Sequence, residues 1–104
     1  MPVSKLPREH TVEAALVKSV EAIGGVALKL QIVRQRGFPD RTLFLPGGRI
    51  VVVEVKRPKG GRLSQHQMQW LHRLQTLGVE IAVVKNARDV EALLQLAPRK
   101  RSVK

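Results

Sequence analysis

A chain of 104 residues, 43% hydrophobic and 26% charged, has the length of one domain and the composition of a folded one. Nineteen Lys and Arg against eight Asp and Glu give a formal charge of +11, a field that calls for a polyanionic partner. The lack of cysteine excludes disulfides, thiolate zinc sites and cysteine nucleophiles, so any metal here is a hard ion held by oxygen.

Residues 9–23 are predicted to form an amphipathic helix, with Val12, Leu16, Val20 and Ile23 on one stripe, Pro7 just ahead and Gly24-Gly25 as the stop. Residues 26–33 alternate Val26, Leu28, Leu30 and Ile32 with Lys29 and Gln31, the period of a strand with one wet face. A second strand over 42–45 is joined by Pro46-Gly47-Gly48 to a third over 49–55, a hairpin signal. The third strand is an almost unbroken apolar run and is expected to be central, buried on both faces. After a basic loop over 57–62, Ser64 and Gln67 have the spacing of a capping box, and Trp70, Leu71, Leu74 and Leu77 supply the buried stripe of a helix ending before Gly78. Residues 79–84 read as a fourth buried strand. Asn86 then caps a last helix packed through Val90, Leu93 and Leu94, which Pro98 ends. The order α, β, β, β, α, β, α implies an α/β fold, one domain over 1–98, and a mobile basic tail over 99–104.

No apolar run approaches the roughly 20 residues that span a bilayer, and the N-terminus lacks a signal-peptide core. A soluble intracellular protein is expected, with no membrane partner and no organic cofactor.

Glu54 interrupts a strand that is otherwise pure core, and an unpaired buried charge is costly. Lys56 lies two residues on, and the strand period puts both side chains on one face. A structural ion pair at the sheet end accounts for these two as well as a catalytic pair does. Asp40, in Gly37-Phe38-Pro39-Asp40-Arg41, alters the balance. Pro-Asp before a strand is often only a turn, but Asp40 lies six residues before Pro46 and Glu54 six after Gly48, so the hairpin folds the two carboxylates together. Two convergent carboxylates with nearby carbonyls suit Mg²⁺, which keeps several waters and binds beside phosphate. Such a site is suited to hydrolysis of a phosphodiester, with Lys56 positioning water and offsetting charge at phosphorus.

Pro39-Asp40, a spacer of thirteen residues and Glu54-Val55-Lys56 together resemble the signature of the PD-(D/E)XK nuclease superfamily, whose restriction-endonuclease-like αβββαβ core matches the predicted order. The fold so implied is a central mixed sheet of about four strands flanked by helices, here with a further C-terminal helix. The chain is more specifically similar to the virus-type replication-repair nuclease (VRR-NUC) domain. That likeness rests on Gly24-Gly25, Gly37-Phe38-Pro39-Asp40-Arg41, Leu45-Pro46-Gly47-Gly48-Arg49, Val53-Glu54-Val55-Lys56-Arg57-Pro58 and Leu63-Ser64-Gln65-His66-Gln67.

The resemblance implies that Asp40, Glu54 and the carbonyl of Val55 hold Mg²⁺, with Mn²⁺ able to substitute, and that Lys56 is catalytic. Family members also carry a glutamate on the first helix and a glutamine on the helix after the lysine strand. Glu9 and Glu13 compete for the first role. Glu9 points more nearly along the apolar stripe on a helical wheel and is preferred. Gln67 fits the second, and its capping role is compatible with a catalytic one.

Arg57, Lys59 and Arg62 flank the site on a glycine-containing loop, and Arg34, Arg36 and Arg41 bracket its other side; these six are candidate DNA contacts. His66 and His72 read as surface, and Trp70 as core before stacking platform. The family includes stand-alone viral nucleases that resemble Holliday-junction resolvases and form homodimers. A DNA endonuclease acting on branched or flapped DNA, and a homodimer, are therefore expected by analogy. Two alternatives remain on the residues alone, a non-catalytic basic nucleic-acid-binding module and a nuclease directed at RNA.

Overall fold

The computed structural model describes residues 9–56 and 62–95, without the side chains of Glu9 and His10. Helix α1 (Glu9–Ala22) leads to strand β1 (Val26–Leu28). Strand β2 (Arg41–Leu45) passes through a 3-10 turn at Pro46–Gly48 into β3 (Arg49–Val55), followed by α2 (Gln65–Thr76), β4 (Glu80–Val84) and α3 (Ala87–Gln95). The sheet order is β1-β2-β3-β4. The first two pairings are antiparallel and the third is parallel, since the α2 crossover returns the chain in the direction of β3. This is the element order expected from the pattern, and the mixed four-stranded sheet that the family resemblance implied.

The period of two sorts β3 between two layers. Val51, Val53 and Val55 face α1 and α3, in one core with Leu43, Leu45 and Val84 of the sheet, Val12, Leu16 and Val20 of α1, and Val90 and Leu93 of α3. Val52 and Glu54 face the other way, toward α2, where Leu71 is buried. Every residue from Val51 to Val55 is buried, as a central strand requires.

The ends of elements differ from the pattern in places. The first strand stops at Leu28 instead of running to 33. Continuing its register would set Leu30 and Gln31 against Asp40 and Pro39; Pro39 has no N–H to give a ladder, and Asp40 is turned toward β3. The chain instead turns, with Gln35 N–H donating to the Ile32 carbonyl at 3.2 Å. Residues 80–84 form an edge strand in which only Val84 is buried, not a buried strand. Ile23 and Leu77, expected on buried stripes, lie just past the ends of α1 and α2 and are exposed. Pro7, Pro98 and the tail over 99–104 lie outside the described residues.

Two arginines lock the layers from within. Arg49 donates from Nη2 to Glu80 Oε2 at 2.6 Å, from Nε to Oε1 at 3.1 Å, and from Nη1 to the Leu93 carbonyl at 3.1 Å. The hydrogen bond and charge of Glu80 raise the guanidinium pKa above its ordinary value, so β3, β4 and α3 are tied by a cation that stays charged. Arg41 reaches Glu13 of α1 at 2.7 Å and the Ala27 carbonyl of β1 at 3.2 Å.

The two glycines after α1 serve different ends. Gly24 has φ +89, a left-handed conformation that favours glycine at a helix end. Gly25 has no such φ, but a Cβ there would lie 2.9 Å from both the Phe44 carbonyl oxygen and Val20 Cγ1. Helix α1 can therefore approach β2 only because the side chain is missing. Gly25→Ala is expected to destabilise the fold by about 1–3 kcal/mol, measured as a lowered urea midpoint with unchanged m-value.

Candidate active site

Strand β3 carries the site at its C-terminal end. The last pair of the β2–β3 ladder is Arg41↔Val53, so one further step brings Asp40 opposite Glu54. Beyond that pair the backbone of β2 no longer serves Val55, and the Asp40 side chain takes over: Val55 N–H donates to Asp40 Oδ2 at 2.7 Å. A charge-assisted bond of this kind holds the carboxylate in place. In an antiparallel ladder a residue's N–H and C=O point to the same side, so the Val55 carbonyl also opens toward Asp40.

Glu54 is fully buried. Its Oε2 accepts a hydrogen bond from Gln67 Nε2 at 2.5 Å and lies 3.9 Å from Lys56 Nζ. The half-buried Lys56 ammonium donates to the Arg62 carbonyl at 2.6 Å and to Gln67 Oε1 at 3.4 Å. Gln67 joins these groups. Ser64 caps α2 by accepting from Gln67 N–H at 3.1 Å, and Gln67 Oε1 accepts from Ser64 N–H at 2.7 Å. The capping box thereby assigns the amide: with Oε1 turned to two donors, Nε2 is the end presented to Glu54, which must accept. One glutamine closes the helix and anchors the buried carboxylate.

The remaining candidates divide. Glu13 is engaged with Arg41 at 2.7 Å and Lys29 at 3.7 Å, on the sheet face opposite α2. The backbone of Glu9 lies one turn further toward the Asp40 end, since α1 runs from beside Arg41 to beside Leu45; its side chain is outside the described atoms. Arg57 and Lys59 fall outside the described residues, and the Arg62 side chain is exposed. Arg34 and Arg36 are exposed. Arg41, read from the sequence as a DNA contact, is instead half-buried and spent on α1 and β1.

Among the described residues no three Asp, Glu or His cluster as a metal-binding group. The oxygen donors at the C-terminal end of β3 are the carboxylates of Asp40, which accepts from Val55 N–H, and Glu54, with the Val55 carbonyl next to Glu54 in sequence. That hard, all-oxygen set fits Mg²⁺, which takes one or two carboxylates and keeps waters. Arg73 is exposed on α2. It follows His66, Gln69 and Trp70 on one face of α2, at three- and four-residue steps that could have signalled a shared surface.

A mixed sheet that gathers two carboxylates, a lysine and a glutamine at the end of its central strand is the frame of a PD-(D/E)XK nuclease. Comparison with known proteins agrees. The VRR-NUC domain family model matches residues 3–88. The chain is 38% identical over 90 residues to "Putative nuclease p44" of Acyrthosiphon pisum secondary endosymbiont phage 1, covering 86% of this chain and 95% of that protein. A solved VRR_NUC domain superposes with a TM-score of 0.80 at 30% identity, covering 86% of this chain and 97% of the other. The chain belongs to the VRR-NUC family and carries a nuclease domain.

Because Gln67 supports both the cap and Glu54, Gln67→Ala is expected to cost more than the cap alone. Ser64→Ala should lose about 1 kcal/mol and Gln67→Ala about 2–3 kcal/mol, from the lost cap and the under-satisfied buried carboxylate. Urea denaturation of both variants, with Glu54→Gln to complete a cycle, checks this; equal losses would show that Gln67 acts as a cap only.

Proposed function

We propose that this chain is a Mg²⁺-dependent DNA endonuclease that hydrolyses phosphodiester bonds, selective for branched, flapped or Holliday-junction-like DNA in replication, recombination or repair. The convergence of Asp40, Glu54, Lys56 and Gln67 at the end of β3 carries the reading. Asp40, Glu54 and the Val55 carbonyl would hold the ion, with Glu9 as a further carboxylate. When bound, Mg²⁺ polarises the scissile phosphodiester and acidifies the attacking water, and Mn²⁺ is expected to substitute.

The chain's own groups do the rest. Lys56, tethered to the Arg62 carbonyl and Gln67, orients the attacking water and offsets charge that develops on the phosphate oxygens. Gln67 holds the Glu54 carboxylate in place by donating to Oε2. Arg34, Arg36, Arg57, Lys59 and Arg62 contact phosphates around the site, and the +11 charge draws the duplex in.

A homodimer suits a four-way junction, since a two-fold axis would present two sites to two strands. A row of exposed apolar side chains supports such pairing: Val26, Phe44 and Ile50 stand in register across β1, β2 and β3, each more than a third exposed. The phage origin of the relative supports action in the cytoplasm of a bacterial or phage-infected host.

Labelled linear, flap and four-way-junction DNA, incubated with Mg²⁺, Mn²⁺ or EDTA, tests the whole reading. Wild type should cleave with either metal, favour the branched substrates and stop in EDTA. Asp40→Ala and Lys56→Ala should each lose on the order of 100-fold or more in rate while still binding. Binding without cleavage of any substrate would make the chain a nucleic-acid-binding module; cleavage of RNA in preference to DNA would reassign the substrate.

A further inference from the structure

Beside the site a groove of about 380 Å³ opens between the turn at 34–36 and the outer face of α2. Arg34 and Arg36 line it from the turn, and His66, Gln69, Trp70 and Arg73 from the helix. None of its lining residues is acidic.

The groove is built into the active-site frame. Gly37, at φ +80, lets the turn seat on the first turn of α2: a Cβ there would fall 2.6 Å from His66 Cβ and 2.9 Å from the Gln67 nitrogen. Gln67 is the residue that holds Glu54, and Asp40 follows Gly37 by three positions. The Phe38 ring meets Trp70 edge-on at 5.0 Å, and the Arg73 guanidinium lies 5.7 Å above the Trp70 ring. Trp70 thus backs the groove and pre-orients one of its cations.

Arg34 adds an independent sign. It has φ +63, the left-handed region, where glycine or asparagine is the ordinary choice, and it is the one non-glycine residue so placed among the described residues. Strain of this kind concentrates at functional positions. An arginine kept there sets a guanidinium at the groove despite the backbone's preference.

We propose that the groove binds the phosphate backbone of one DNA strand where it passes from the active site, with Arg34, Arg36 and Arg73 as phosphate ligands. The site's orientation toward the cleaved strand rests on the nuclease reading; its capacity to bind a strand does not. Arginine suits the task because its planar donors fork onto phosphate oxygens.

The test compares a groove variant, Arg34→Gly with Arg36→Gln and Arg73→Gln, against a control of equal charge loss on exposed residues elsewhere, Lys18→Gln with Lys85→Gln and Arg88→Gln. A labelled single-stranded oligonucleotide is titrated in EDTA over a salt series. The groove variant is expected to raise Kd about tenfold beyond the control and to flatten the salt dependence by about three phosphate contacts. Glycine accepts φ +63, so Arg34→Gly alone should keep or raise Tm while weakening binding.

With cleavable DNA the groove variant should raise KM and leave kcat within about twofold. Equal Kd values for the two triple variants, or a Tm loss in Arg34→Gly, would overturn the groove assignment. The affinity comparison needs no cleavage, so an inactive wild type would sink the nuclease reading and leave the groove to be judged by its own titration.

Discussion

The burial of one carboxylate organises this molecule. Glu54 sits in the central strand with no exposed surface, and a charge in that position demands partners from whatever layer covers it. Helix α2 answers that demand with the Gln67 amide, and Lys56 brings a cation to the same end of the strand. The Gln67 contact ties the seating of α2 to the buried carboxylate, so the docking of the helix and the geometry of the site are coupled.

Two side chains at this end hold structural and chemical roles together. Asp40 replaces the backbone acceptor that β2 no longer offers to Val55, and the bond that finishes the ladder also aims a carboxylate at the region beside Glu54. Gln67 completes a capping box and by doing so turns its amide toward the buried charge. Holding functional groups by bonds the fold already needs leaves them little freedom, which is the precision a reacting site requires.

The large positive charge is not evenly available to a polyanion. Arg41 and Arg49 are turned inward, one to Glu13 and one to Glu80, and knit the layers. Arg34, Arg36 and Arg73 stand exposed around a groove beside the first turns of α2. Net charge is a property of composition, whereas the direction of the field follows from which cations the fold has already paired.

Much of this was legible in the sequence. Patterning alone determined the element order, the central place of β3, the capping box at Ser64 and Gln67, and the common face of Glu54 and Lys56, because strand and helix periods and local caps are set by neighbouring residues. The register that brings Asp40 to Glu54 also followed from counting outward from Pro46-Gly47-Gly48, since a hairpin is a local structure. Where the strand pattern over 26–33 failed, a non-local cause prevailed: β1 can extend only as far as β2 offers ladder partners, and Pro39 and Asp40 end that offer. The exposure of β4 likewise depends on its edge position, which no run of five residues reveals. Arg41 looked like a DNA contact, and the assembled layers pair it with Glu13 and the Ala27 carbonyl. Sequence thus determined which groups share a strand or a turn, and only tertiary packing decided which of them remain to meet a substrate, because a long cationic side chain takes whichever partner the fold brings within its reach.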